Sequence, residues 1–102
     1  MLADLNSHTS SWVTPACVDY RDVELCELPP NGQGFAALQM VNILKNVDLR
    51  QWSRNHPKVW HYLTEAKRLA FEDLARYYGD PDFSDVPTEQ LLSDAYGKLS
   101  LI

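Results

Sequence analysis

Ala16-Cys17-Val18-Asp19-Tyr20-Arg21-Asp22-Val23-Glu24-Leu25-Cys26-Glu27-Leu28, stopped by Pro29-Pro30 and followed by Asn31-Gly32-Gln33-Gly34, is the stretch from which the fold is read. Side chains of a strand alternate between two faces, so a pairing register shows itself as matched character across a turn. With Arg21-Asp22 as a two-residue turn, Tyr20 faces Val23, Asp19 faces Glu24, Val18 faces Leu25 and Cys17 faces Cys26. One face of the hairpin is then apolar, carrying Val18, Tyr20, Val23 and Leu25. The other carries the acids and both cysteines. Arg-Asp is a poor turn sequence, because tight hairpins favour Asn-Gly or Asp-Gly. Neither Pro29 nor Pro30 can donate to a ladder, so the second strand ends there.

Downstream the period changes from two to nearly four. Asn31-Gly32-Gln33-Gly34 reads as a turn opening a helix, with Asn31 as its N-cap. From Phe35 to Val47 the apolar residues Phe35, Leu38, Met40, Val41, Ile43, Leu44 and Val47 leave little polar face, so this helix needs cover on several sides. Pro57 suits the first turn of a second helix. Val59, Trp60, Leu63, Ala66, Ala70, Phe71, Leu74, Tyr77 and Tyr78 continue that helix to Tyr78, where Gly79 and Asp80-Pro81-Asp82 end it. Leu91, Leu92, Ala95, Tyr96 and Leu99 describe a shorter third helix. Residues 1 to 12 read as a polar lead-in. The expected fold class is α+β, mainly helical, with three helices and one β-hairpin. A lone hairpin is marginal in water, and the apolar first helix wants more cover than this, so a single partial domain over 1-102 is expected.

Composition removes several functions. A chain of 102 residues holds one small domain. Formal net charge is -5 and the nine Lys and Arg are scattered, so no phosphate-binding face exists and no nucleic-acid partner is expected. No window approaches a membrane span, and the start Met1-Leu2-Ala3-Asp4 lacks the basic region of a secretory signal. Location stays unassigned.

Short strings in order along nearly the whole chain carry a resemblance. Asp19-Tyr20-Arg21, Glu27-Leu28-Pro29-Pro30-Asn31-Gly32-Gln33-Gly34, Ala36-Ala37-Leu38-Gln39-Met40 and Asn42-Ile43-Leu44 are similar to a region of the γ-glutamyltransferases (γ-glutamyltranspeptidases, glutathione hydrolases). So are Glu65-Ala66-Lys67-Arg68-Leu69-Ala70-Phe71 and Gly79-Asp80-Pro81-Asp82-Phe83. The chain departs from the family pattern at Glu72-Asp73-Leu74, where Ala-Asp-Arg is usual, and at Asp22, where Gly is usual.

The resemblance implies an N-terminal-nucleophile hydrolase, a four-layer αββα sandwich in which a precursor cuts itself before a threonine. That threonine attacks a γ-glutamyl amide, and its own α-amino group serves as the base. The segment resembles the late part of the large subunit, upstream of the cut. Implied partners are the remainder of the large subunit and the small subunit, with glutathione or other γ-glutamyl compounds bound only by the complete enzyme. No cofactor is implied. The family nucleophile is followed by Thr and His, whereas Thr9, Thr14, Thr64 and Thr88 are followed by Ser10, Pro15, Glu65 and Glu89. No catalytic residue is therefore expected in this chain, and it should be inactive alone. The alternative is a small stand-alone helical interaction module from a truncated gene, binding a partner or itself.

Among candidate sites, the loop Asn31, Gly32, Gln33, Gly34 has two readings. It is an anion cradle at a helix N-terminus, near the wall of the family's active site, or a tight strand-to-helix turn, and the turn is preferred. Cys17 and Cys26 fall at a non-hydrogen-bonded pair, close enough for a disulfide, yet two free thiols are the preferred state because facing geometry does not establish oxidation. His56, His61 and Glu65 do not make a zinc site without a further convergent cluster. Asp80, Asp82 and Asp85 lack the Gly and bidentate Glu of a calcium loop. No metal is expected. Trp52 and Trp60 are assigned to packing.

Overall fold

The structure is a computed structural model that describes residues 1–100. In chain order it comprises α1 (Leu2–Ser7), β1 (Ala16–Tyr20), β2 (Val23–Glu27), α2 (Gly34–Leu44), a 3-10 turn (Leu49–Gln51), α3 (Pro57–Tyr77), α4 (Thr88–Leu91) and α5 (Asp94–Leu99).

β1 and β2 pair antiparallel in the register read from the sequence, Cys17 opposite Cys26 and Tyr20 opposite Val23. Arg21 takes the first turn position at φ 57°, the left-handed region that costs a residue with a Cβ about 1–2 kcal/mol. Its guanidinium lies over the Tyr20 ring at 5.1 Å and reaches Asp48 at 3.5 Å. Cys17 and Cys26 form a disulfide, which corrects the expectation of free thiols. The non-hydrogen-bonded pairing brings their Cα atoms to 4.1 Å, so the two thiols meet without backbone movement. With a sequence separation of only 9, the closed loop is short and its chain-entropy contribution is about 2–3 kcal/mol.

Both strands of the hairpin touch α2, and β1 carries the residue that enters the core. Val18 is buried with Phe35, Leu38 and Leu91, and Tyr78, Leu92 and Tyr96 pack around them. A second cluster joins Ile43, Leu44 and Ala66, with Tyr20, Met40, Tyr62 and Leu63 against it. α2 touches the hairpin, α3 and α5. Its nearly all-apolar surface is thus covered within the chain, and the shortage of cover expected there lies elsewhere. Val23 and Leu28 are 60% and 65% exposed, and every one of residues 1–15 is exposed. The radius of gyration is 16.2 Å, where a compact chain of this length gives about 13 Å.

Several boundaries differ from expectation. The N-terminal lead-in contains α1, which buries nothing and carries local ties, the terminal amine to Asp4 at 3.0 Å and the Ser7 hydroxyl to the Asp4 carbonyl at 3.1 Å. α2 stops at Leu44, not Val47, as Asn46 Nδ2 donates to the carbonyls of Asn42 and Ile43 and closes the last turn. Gln33 rather than Asn31 is the N-cap of α2, with no side-chain hydrogen bond. The expected third helix is two, α4 and α5, because the Ser93 hydroxyl accepts from Tyr96 N and starts a new helix. Trp52 does pack, stacked on Tyr62 at 5.7 Å, but Trp60 is 57% exposed.

α5 lies so close to α2 that one position tolerates no side chain. A Cβ on Gly97 would sit 2.7 Å from the backbone oxygen of Asn42. Glycine to alanine in an exposed helix gains up to about 1 kcal/mol. Here the clash dominates, so Gly97→Ala is expected to lower stability by about 1–3 kcal/mol, read as a lower urea midpoint. An unchanged or raised midpoint would mean that α5 is free to retreat.

Candidate functional site

The loop that the sequence singles out lies at the surface. Asn31, Gly32 and Gln33 are exposed, and Gly34 begins α2 half-buried. Helix N-termini attract anions because their first N–H groups lack partners. The chain has its own carboxylate here: a Cβ on Gly34 would meet Glu27 Oε2 at 2.6 Å. Glu27 therefore occupies the space beside the first turn of α2, which supports the tight-turn reading over the anion cradle. Gly32 has nothing within 4 Å of an added Cβ, so the loop tip is open. A groove beside it is lined by Pro29 and Phe35, which flank the loop, together with Thr14, Cys17, Thr88 and Leu92.

His61 and Glu65 line one pocket with Tyr62, but among the described residues no further metal-type ligand converges on them. His56 caps α3, its Nδ1 accepting from Lys58 N at 3.1 Å. His61 stands edge-on to Tyr62, and Glu65 pairs with Arg68 at 2.9 Å. Asp80 Oδ1 accepts from Asp82 N, and its carbonyl accepts from Phe83 N and Ser84 N, so it shapes the turn after α3. Cys17, Glu24 and Cys26 place ligand-type atoms within 4.8 Å of one another. Two bonded sulfurs carry no thiolate, so this trio does not offer a metal the ligands it needs. Of the four threonines, Thr9, Thr14 and Thr64 are exposed and Thr88 opens α4.

A buried polar cluster was not singled out from the sequence. Asp73 on α3 is 8% exposed, and its Oδ2 accepts from Gln39 Nε2 at 2.9 Å and from the Tyr96 hydroxyl at 2.8 Å. The Tyr78 hydroxyl donates to Gln39 Oε1. Asn42, one turn on from Gln39 and 1% exposed, donates through Nδ2 to the Ser93 carbonyl at 2.9 Å. The signal was present: Gln39 and Asn42 lie three apart in an otherwise apolar helix, and Asp73 continues the buried Ala66–Ala70 line of α3. Buried polar groups at helical spacing imply partners.

Burial raises the Tyr78 hydroxyl well above its ordinary value of 10.0, with the Asp73 charge adding to it. Burial, and then the hydrogen bond to Asp73, raises Tyr96 to about 12. The folded state thus holds these protons more tightly than the unfolded chain. Their contribution is complete below pH 10 and is lost as pH rises above it, that of Tyr96 by about pH 12 and that of Tyr78 later. Denaturant midpoints should stay level up to pH 10 and fall above it. Tyr96→Phe is expected to lower the neutral midpoint by about 1–2 kcal/mol and to flatten the alkaline fall. A variant with the same alkaline profile as the parent chain would show that Tyr96 does not carry it.

Comparison with known proteins gives a consistent answer. The family model described as Gamma-glutamyltranspeptidase matches residues 1–100. The chain is 38% identical over 95 residues to the glutathione hydrolase-like YwrD proenzyme of Bacillus subtilis, covering 93% of this chain and 18% of that protein. It is 33% identical over 96 residues to the glutathione hydrolase proenzyme of Escherichia coli, covering 93% and 17%. Among solved structures, the γ-glutamyltranspeptidase of Helicobacter pylori superposes with TM-score 0.91 at 32% identity, covering 96% of this chain and 28% of that one. A cephalosporin acylase from Bacillus halodurans superposes at 0.88 with 38% identity, covering 96% and 18%. The chain spans under a fifth of the length of these two curated relatives.

Proposed function

The chain belongs to the γ-glutamyltranspeptidase family, and we propose that it is a structural portion of an enzyme that cleaves and transfers γ-glutamyl amides. In this reading residues 1–102 are one partial domain from the late large subunit, upstream of the self-processing threonine. The observation that carries it is a mismatch of extent. The chain is covered almost completely by relatives called proenzymes, yet it accounts for 18% or less of each.

Its residues contribute position, not chemistry. The hairpin and α2 through α5 form part of the sandwich, while the nucleophile, the substrate-carboxylate arginine and the oxyanion glycines come from the remainder of the parent. The parent's substrates are glutathione or related γ-glutamyl compounds. The uncovered surfaces agree with this assignment: exposed residues 1–15, exposed Val23 and Leu28, and a radius of gyration larger than a compact chain needs. The open tip at Gly32 faces the wall of the parent's active site in the same reading.

Two experiments test it. The chain should replace the stretch of the Escherichia coli enzyme to which it is 33% identical, giving a chimera that cuts itself and releases nitroaniline from γ-glutamyl-p-nitroanilide. The rate should lie within about tenfold of the parent, or about 1.4 kcal/mol in barrier. A soluble chimera that never cuts itself would sink the scaffold role. The chain alone should release nothing, and turnover that persists with Thr9, Thr14, Thr64 and Thr88 all changed to alanine would reveal a centre of its own. In the chimera, Gly32→Leu adds bulk where nothing lies within 4 Å, so folding should be spared. If the loop lines the site, KM rises by about threefold or more; an unchanged KM removes the loop from it.

A further inference from the structure

Cys17 and Cys26 are both exposed, and the strand that Cys26 belongs to buries none of its residues. β2 is held by its ladder to β1, by contact with α2 and by this one covalent bond. β1, by contrast, sends Val18 into the core. A two-stranded ribbon is marginal without a third strand or a covering helix. The disulfide therefore stands between a fixed strand and a weakly fixed one, with both sulfurs within reach of a dissolved thiol.

A further residue bears on the reduced form. Glu24 Oε1 lies 3.6 Å from Cys26 Sγ on the same exposed face. While the sulfur is bonded it has no proton, so this is a contact only. Once Cys26 is a thiol, its S–H has a carboxylate acceptor already in place, which favours the reduced form. The same carboxylate opposes a thiolate on Cys26, so Cys17 is the better leaving group, and it is the exposure of the bond that opens it to exchange.

We propose that Cys17–Cys26 is a thiol-exchange site: a small thiol of the glutathione type opens it and releases β2, while α2, α3 and α5 stay folded. The exchange balances with two thiols. One thiolate attacks a sulfur, the cystine S–S bond breaks, and a mixed disulfide forms as the other cysteine leaves as thiolate and takes a proton from water. A second thiolate attacks the mixed disulfide, giving the oxidised small thiol and the second cysteine. Two electrons pass from the small thiol to the protein. The inference concerns the chain's own cysteines; glutathione serves here only as the reductant, and the readouts count cysteines and protected amides rather than γ-glutamyl cleavage, so on the chain alone it succeeds or fails independently of the proposed enzyme role.

The full chain is equilibrated in glutathione buffers of graded redox poise. Mass spectrometry after acid quench counts reduced cysteines and glutathione adducts, and hydrogen exchange follows protection by segment. Reduction should proceed through a detectable mixed disulfide. Amides of residues 16–27 should lose protection by about tenfold or more, while those of residues 57–77 change by less than about twofold. Cys17→Ser with Cys26→Ser should exchange like the reduced chain at every poise. Glu24→Ala should need a more reducing buffer for half reduction. A bond that stays closed under millimolar glutathione overturns the proposal. So does reduction that leaves residues 16–27 protected, or that strips α3 of protection as well. Should the free chain prove unfolded, the same measurements decide in a chimera whose self-processing threonine is changed to alanine, so that it cannot consume glutathione, with the same outcomes counting for or against.

Discussion

A single carboxylate oxygen holds three helices in register. Asp73 Oδ2 receives one hydrogen bond from Gln39 on α2 and one from Tyr96 on α5, while Asp73 itself stands on α3. Hydrogen bonds to a charged acceptor contribute more than neutral ones, about 1.5–3 kcal/mol each, and a buried carboxylate left without them would be strongly unfavourable. Such a group admits few arrangements of its neighbours. Apolar packing alone would let α2 slide or rotate on α3 at small cost, since Leu and Ile accept many partners. Asp73, Gln39 and Tyr78 do not, and Asn42 repeats the constraint one turn along by gripping the Ser93 carbonyl. Gly97 completes it, because only a residue without a side chain lets α5 come near enough for Tyr96 to reach Asp73.

Much of this architecture is legible in the sequence, for reasons that differ from element to element. The hairpin register is determined by matched pairs around Arg21-Asp22, and it holds even though Arg21 must take a left-handed φ. Side-chain alternation over five pairs outweighs one unfavourable turn residue. The course of α3 follows from Pro57 at its start and the apolar spacing within it. By comparison, the break between α4 and α5 is not visible in hydrophobic spacing, because Ser93 acts through one hydroxyl. The disulfide was geometrically allowed but not decided by geometry. The candidate loop was legible as a turn; the carboxylate of Glu27 beside Gly34 was not, since it depends on how the strand end folds back on the helix. The family resemblance was legible in full because it rests on ordered strings and needs no three-dimensional placement.

Function in this chain is a matter of division. In the proposed reading the reacting groups come from the rest of the parent enzyme, while many of the residues present hold one another. Glu65, Glu72 and Asp94 pair with Arg68, Arg76 and Lys45. The guanidinium of Arg50 lowers the Asp48 carboxyl, and the Lys45 ammonium lowers that of Asp94, so both stay ionised at neutral pH as surface ties between elements.

The two-stranded sheet has a further consequence for the order of assembly. The hairpin joins residues near in sequence, from Tyr20 opposite Val23 out to Ala16 opposite Glu27, which chains make early because little loop entropy opposes them, whereas α2 waits for Asp73 and for the Ser93 carbonyl far along the chain. The strands are then finished while their outer edges still carry free N–H and C=O groups. An early-formed edge of that kind is a template: correct strands can be added to it, and so can another molecule's. The speed with which neighbouring strands reach it thus becomes a determinant of yield, separate from how stable the finished protein is.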